Sequence, residues 1–294
     1  MWEVEEDSDT PMKKLILTTL VAVGLISNSS AALVYVEDRG TISSYNEITG
    51  DVINSSLING LNGPYNIAVT GDYLFVEDGS YISKYNASTG SAINKSLAPG
   101  GIFAVSGNKL FIGQGNNINE FDASTGAIIS SGFITGLSYL TSIAISGNNL
   151  YLGQGNAISE YNSLTGTVIN ANFITGLSYA QSIAVSGNNL FVADGSLIGK
   201  YDATSGAAIN RSLINISSWT NSVAVYGNDL FVSQASTKTI VKYDSTSGDT
   251  INGAFLTGTS GYVAITATPE PSTYALFGLG AIGMLMVMRR KNTV

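Results

Sequence analysis

The side chains able to do chemistry in this 294-residue chain are carboxylates, amides, hydroxyls and phenols, because it holds no cysteine and no histidine. Thiolate nucleophiles, disulfides, zinc sites with nitrogen or sulfur ligands and any histidine acid or base are thereby excluded. Oxygen donors do recur at one place. Asp38, Asp78, Gln114, Gln154, Asp194 and Gln234 each end a short apolar run, with Glu37 and Glu77 beside two of them. Carboxylate and amide oxygens suit a hard cation, so Asp38, Glu77, Asp78 and Asp194 are candidate Ca²⁺ ligands. A local role competes: no EF-hand-like spacing occurs, and an Asp before Gly is expected to cap the backbone of its own following turn.

A second series is aromatic. Tyr139, Tyr179 and Trp219 each stand four residues ahead of a recurring aliphatic-Ala-aliphatic triplet, where other copies have Gly63, Pro99 and Thr259. Aromatic faces with a polar edge suit stacking on a sugar ring or gripping a peptide; packing between repeats is the competing role. The remaining signals carry no chemistry. Serines and threonines are plentiful, but they have no histidine base and no Ser-x-x-Lys motif. Gly113-Gln114-Gly115 and Gly153-Gln154-Gly155 lie between strands, with no helix terminus to receive a phosphate.

The elements that position these residues are strands. In Ser182 to Gly206, the pair Gly187-Asn188 separates the apolar runs Ile183–Val185 and Leu190–Ala193, which predicts a tight hairpin. Asp194-Gly195-Ser196 turns into a third strand, Leu197 to Tyr201. Asp202 to Gly206 turns again, with its glycine in the left-handed position, and a fourth strand begins at Ala207. Copies of the second strand begin at Val34, Leu74, Leu110, Leu150, Leu190 and Leu230, in steps of 40, 36, 40, 40 and 40 residues. Four strands at that period predict a propeller blade, and the chain reads as all-β.

The triplets that form the first strand are offset from this series. They are Ile67-Ala68-Val69, Phe103-Ala104-Val105, Ile143-Ala144-Ile145, Ile183-Ala184-Val185, Val223-Ala224-Val225 and Val263-Ala264-Ile265. The chain therefore opens with strand two of a blade at Leu33 and ends with strand one at Tyr262 to Thr266. Together the two fragments complete one blade, which predicts a closed ring of six blades without exposed terminal edges. Alanine at the centre of every triplet fits the crowded region where inner strands converge.

The pattern Ile-Ala-Val, turn, Leu-Phe-Val-Ala-Asp, turn, Lys-Tyr-Asp resembles the blade of NHL-type six-bladed β-propellers over nearly all of residues 33 to 266. The resemblance implies the fold and leaves function open, since such propellers include binding scaffolds, lactonases and lyases. A Ca²⁺-dependent hydrolase or lactonase using Asp38, Glu77 and Asp78 is the alternative it implies; a non-enzymatic binding module without a cofactor is the main expectation.

Both ends carry addresses. Lys13-Lys14, the apolar run Leu15 to Ile26 and the small residues Ser27 to Ala32 form a secretory signal peptide, with cleavage expected after Ala31 or Ala32. The acidic segment before Met12 is out of place there, so Met12 is the expected start and residues 1–32 the leader. At the other end Pro269-Glu270-Pro271 precedes the apolar run Tyr274 to Met288 and the cluster Arg289-Arg290-Lys291. Residues 269–294 resemble a PEP-CTERM sorting signal, which implies recognition by an exosortase in a Gram-negative bacterium, often one that produces exopolysaccharide. Between the ends, residues 33–268 hold eight Lys or Arg against fifteen Asp or Glu, with no basic face to meet a nucleic acid. The expected product is a secreted or cell-surface propeller, transiently anchored in the inner membrane, that binds polysaccharide or a surface protein through Tyr139, Tyr179 and Trp219.

Overall fold

Residues 32–216 and 219–266 are described by the structure, a computed structural model. Its regularity starts at the repeat turns. Asp202 Oδ1 accepts the N–H groups of Thr204 at 3.0 Å and Ser205 at 2.8 Å, which reverses the chain between the third strand and the outer strand of the blade. Asn162 makes the same pair of bonds one blade earlier, so Asp and Asn serve alike. Gly206 closes the turn at φ 73°, and a Cβ there would overlap the carbonyl oxygen of Phe173 on the preceding blade. The turn thus shapes its own blade and seats it on its neighbour.

Six four-stranded antiparallel sheets result. The blade holding the turn just described is β16 (Ala180–Ser186), β17 (Asn189–Asp194), β18 (Leu197–Asp202) and β19 (Ala208–Asn215), in that spatial order. The first blade is assembled from both ends. Its outer strands are β1 (Leu33–Asp38), β2 (Thr41–Asn46) and β3 (Val52–Ile58), and its inner strand is β24 (Val263–Thr266). Leu33 pairs with Thr266 and Val36 with Val263, so the ring closes as the offset triplets require. The other inner strands are β4 (Ile67–Thr70), β8 (Ile102–Ser106), β12 (Leu140–Ser146) and β20 (Thr220–Tyr226). Each inner strand touches the next around the ring, and β20 touches β24.

The core lies between blades. One cluster joins Ala144, Tyr151 and Phe173 of the fourth blade to Ile183, Leu190 and Val192 of the fifth, and a like cluster fills each of the other five junctions. The triplet alanines sit in these junctions, where a larger side chain would push adjacent blades apart. Lysines of the third strands cross the same junctions. Lys84 donates to the carbonyl of Ala123 and Lys200 to that of Ser245, each at 3.0 Å and each reaching the next blade.

Every inner strand begins at one face of the ring, and all but β24 end at a hairpin on the other. The expected leader up to residue 31, and the expected tail with Pro269, Glu270, Pro271, Arg289 and Arg290, lie outside the described residues. Among the described residues no helix is long and apolar enough to cross a membrane.

Candidate functional site

The starts of the inner strands surround a cavity of about 600 Å³ on the ring axis, within the range of small-ligand sites. Its wall is mixed. Blades four to six contribute the hydroxyls and amides of Thr141, Ser142, Gln181, Ser182, Asn221 and Ser222 beside Tyr179 and Ile183, while blades one to three contribute Tyr262, Tyr65, Ile102 and Phe103 beside Asn66 and Glu77.

Most of the polar groups stitch one inner strand to the next. Thr141 Oγ1 donates to the Ala180 carbonyl at 2.6 Å, and Asn221 Nδ2 donates to that of Ser260 at 2.6 Å. Ser182 and Ser222 accept the N–H groups of Val223 and Val263. Each acceptor hydroxyl still has its own proton to donate. Gln181 differs: its amide oxygen is buried with no hydrogen-bond partner, a costly state in a native wall unless something else fills it.

Of the aromatic arc, Tyr179 lines this cavity and Tyr139 packs against it. Tyr139, Tyr179 and Trp219 each immediately precede an inner strand, β12, β16 and β20. Tyr139 and Trp219 are 70% and 63% exposed, while Tyr179 is half-buried and lines the cavity. The rings of Tyr139 and Tyr179 meet edge to face with centroids 6.1 Å apart. The Tyr139 hydroxyl, followed by burial, pushes the Tyr179 phenol above its ordinary pKa. Tyr139 also holds a positive φ of 50°, an uncommon conformation for a bulky residue and one found at loops that aim a side chain.

Two further tyrosines reach the cavity from other positions in the repeat, where the sequence pattern does not mark them. Tyr262 immediately precedes β24 and Tyr65 stands two residues before the start of β4 adjacent to it, and both line the cavity. Tyr65 is 65% exposed. Burial, followed by the neighbouring Glu37, Tyr65 and Glu77, raises the Tyr262 phenol. Inner strands of the fourth to sixth blades start three residues earlier than that of the second, so equivalent places in space are not equivalent places in the repeat.

The carboxylates are engaged by backbone donors. Asp194 Oδ1 accepts the N–H groups of Ser178 at 2.6 Å and Tyr179 at 2.8 Å, and Asp78 Oδ1 accepts that of Asn62 at 2.5 Å. Gln154 does the same for Ser138 at 3.0 Å. The expected capping of each residue's own following turn therefore needs correction: these three reach back about 16 residues and hold the loop that enters their blade's inner strand. The loop approaches more closely than the following turn because it must fold over the blade's end to reach the axis. Glu37 keeps the local role, with Oε1 accepting the Gly40 N–H at 3.1 Å. Glu77 Oε2 accepts the N–H of Tyr65 at 3.2 Å, and burial, assisted by Asp78, raises its pKa. Burial and Asp38 raise that of Glu37 as well. Asp38 stands beside Arg39 at 4.0 Å on the surface. No group of three or more acidic side chains able to hold a metal ion occurs among the described residues. Asp38, Glu77, Asp78 and Asp194 are instead spread over three blades, and three of the four hold backbone donors.

A closed ring of six four-stranded blades defines a six-bladed β-propeller. By its residues 38–253 the chain belongs to the family described as outer membrane protein assembly factor BamB. Residues 267–291 match the PEP-CTERM protein-sorting motif, which implies export to the Gram-negative cell envelope, recognition by an exosortase and membrane anchoring. No curated protein sequence matches the chain. Among solved structures, a chain of a nidogen/laminin complex is similar at 12% identity with a TM-score of 0.66, covering 81% of this chain and 100% of that one. A computationally designed protein, Ika8, is similar at 15% identity and a TM-score of 0.48, with 77% of this chain and 75% of that one covered. At these identities the likeness concerns the fold.

Proposed function

We propose that this protein is a binding module displayed on the cell envelope, taking a polysaccharide or a surface protein at the aromatic mouth of its ring. The observation that carries the reading is the convergence of Tyr65, Tyr179 and Tyr262 on one cavity of about 600 Å³, with Tyr139 packed against Tyr179. A catalytic reading lacks comparable support, since Asp78 and Asp194 hold loops and no group of acidic side chains able to hold a metal ion occurs among the described residues.

Chain direction supports the same reading. Tyr262 precedes β24 at the mouth, and Thr266 ends it at the opposite face, directly before the sorting motif at 267–291. A tether starting there turns the mouth outward. The test is capture of envelope material by the purified protein, wild type against a Tyr139→Ala, Tyr179→Ala, Trp219→Ala variant. Retained material that is lost in the triple variant supports the reading; equal capture by both removes it.

A further inference from the structure

The ring places its tyrosines in two pairs. Inner strands follow one another in the order β24, β4, β8, β12, β16, β20, so β24 stands opposite β12 and β4 opposite β16. Tyr262 and Tyr65 accordingly precede strands that lie across the ring from those preceded by Tyr139 and Tyr179. Both halves of the wall combine apolar surface with polar groups, hydroxyls and amides being most frequent in blades four to six, and Asn66 and Glu77 joining the aromatic rings in blades one to three. An object that fits this wall has apolar faces and a polar, hydroxyl-bearing edge, which describes a pyranose ring.

We propose that the mouth binds a neutral polysaccharide chain laid across its diameter, with one sugar stacked on Tyr65 and Tyr262, another on Tyr139 and Tyr179, and a hydroxyl of the intervening segment donated to Gln181 Oε1. The proposal rests on the binding-module reading above and adds the ligand's chemistry and pose. Gln181 supplies the independent sign of a missing partner: the residue lines the cavity, and its amide oxygen has no hydrogen-bond partner. Charge selects among glycans. Glu37, Glu77 and Asp78 stand on the Tyr65–Tyr262 side, where an anionic sugar would meet like charge in a half-buried site. A neutral chain meets no such cost.

The clamp predicts length dependence, since two stacking sites act together only on a chain that spans both. The experiment is isothermal titration of the purified protein with neutral β-1,4- and β-1,3-glucan oligosaccharides of two to eight units, and with oligogalacturonates of the same lengths. Tyr65→Ala and Tyr139→Ala remove one side each, and both residues are exposed enough for the fold to survive. Each is expected to weaken binding of the long neutral glucan about tenfold, the double variant to abolish it, and disaccharides to bind far more weakly than octasaccharides. Gln181→Leu is expected to weaken binding without changing the length profile. Preference for galacturonates overturns the proposal, as does a Tyr65→Ala variant with wild-type affinity. Wild type that binds none of these sugars yet captures a protein through the mouth overturns the ligand assignment and leaves the binding-module reading intact.

Discussion

Lys242 donates to both the side chain and the carbonyl of Glu47, at 2.9 Å to Oε1 and 3.0 Å to the backbone oxygen, although 195 residues separate them. The ammonium also lies 2.7 Å from Asp229, and the Lys242 and Glu47 side chains are both only 7% exposed. Last blade and first blade are therefore locked by charge on the outside and by β24 on β1 near the axis. Removing one member of a buried, bonded pair leaves the other uncompensated, so Lys242→Ala should cost about 3–5 kcal/mol. Lys200→Ala, which loses a bond to the Ser245 carbonyl and a contact over the Phe191 ring, should cost about 1–3 kcal/mol. Urea unfolding of the two variants checks the order.

The closing strand gives a second prediction. A protein ending at residue 266 should fold as a monomer, whereas one ending at 262 lacks β24 and exposes the edge of β1. The shorter form is expected to aggregate or to be cleaved rapidly by protease, because an unpaired inner edge templates association. Size-exclusion chromatography with limited proteolysis separates the outcomes.

Acid stability follows from the turns. Backbone and side-chain bonds from Thr125, Ser205 and Ser247 hold Asp122, Asp202 and Asp244 below the ordinary carboxylate pKa. A lowered folded pKa adds stability that is present above the unfolded value, near 3.8, and lost as pH falls through the folded one. Asn does this work at Asn46, Asn86 and Asn162. Replacing the three aspartates by Asn should keep the fold at pH 7 and lessen the loss of stability below about pH 4. Burial raises Glu37 and Glu77, giving the opposite sign: their contribution is present below the unfolded pKa and lost as pH rises through the folded one. Thermal melts from acid to neutral pH measure the balance.

Turn glycines tie local conformation to the neighbouring blade. Gly126 has φ 76°, and a Cβ there would overlap the Leu97 carbonyl oxygen. Gly126→Ala should therefore destabilise by more than the roughly 1 kcal/mol of backbone strain alone, seen as a lowered urea midpoint.

The ring was legible because its turns are chemical: Gly-Asn hairpins, Asp/Asn-x-x-x-Gly reversals and a displaced Ile-Ala-Val triplet each force a local geometry that repeats. Half of the mouth was legible for the same reason, since Tyr139, Tyr179 and Trp219 share one repeat position. Tyr65 and Tyr262 were not, because they reach the same rim from different repeat positions and only the onset of each inner strand aligns them. The reach of Asp78 and Asp194 back to the incoming loop, and of Lys242 to Glu47, depends on how blades nest, which no single repeat encodes.

The central claim is that the tyrosine face of the ring, and not the hairpin face, meets the ligand. A photo-crosslinking amino acid placed at Tyr139, or at Asn188 in the opposite hairpin, tests it in the producing cell envelope. Crosslinked envelope polysaccharide or protein at position 139 and none at 188 is the predicted result; equal labelling at both, or labelling at 188 alone, would contradict it.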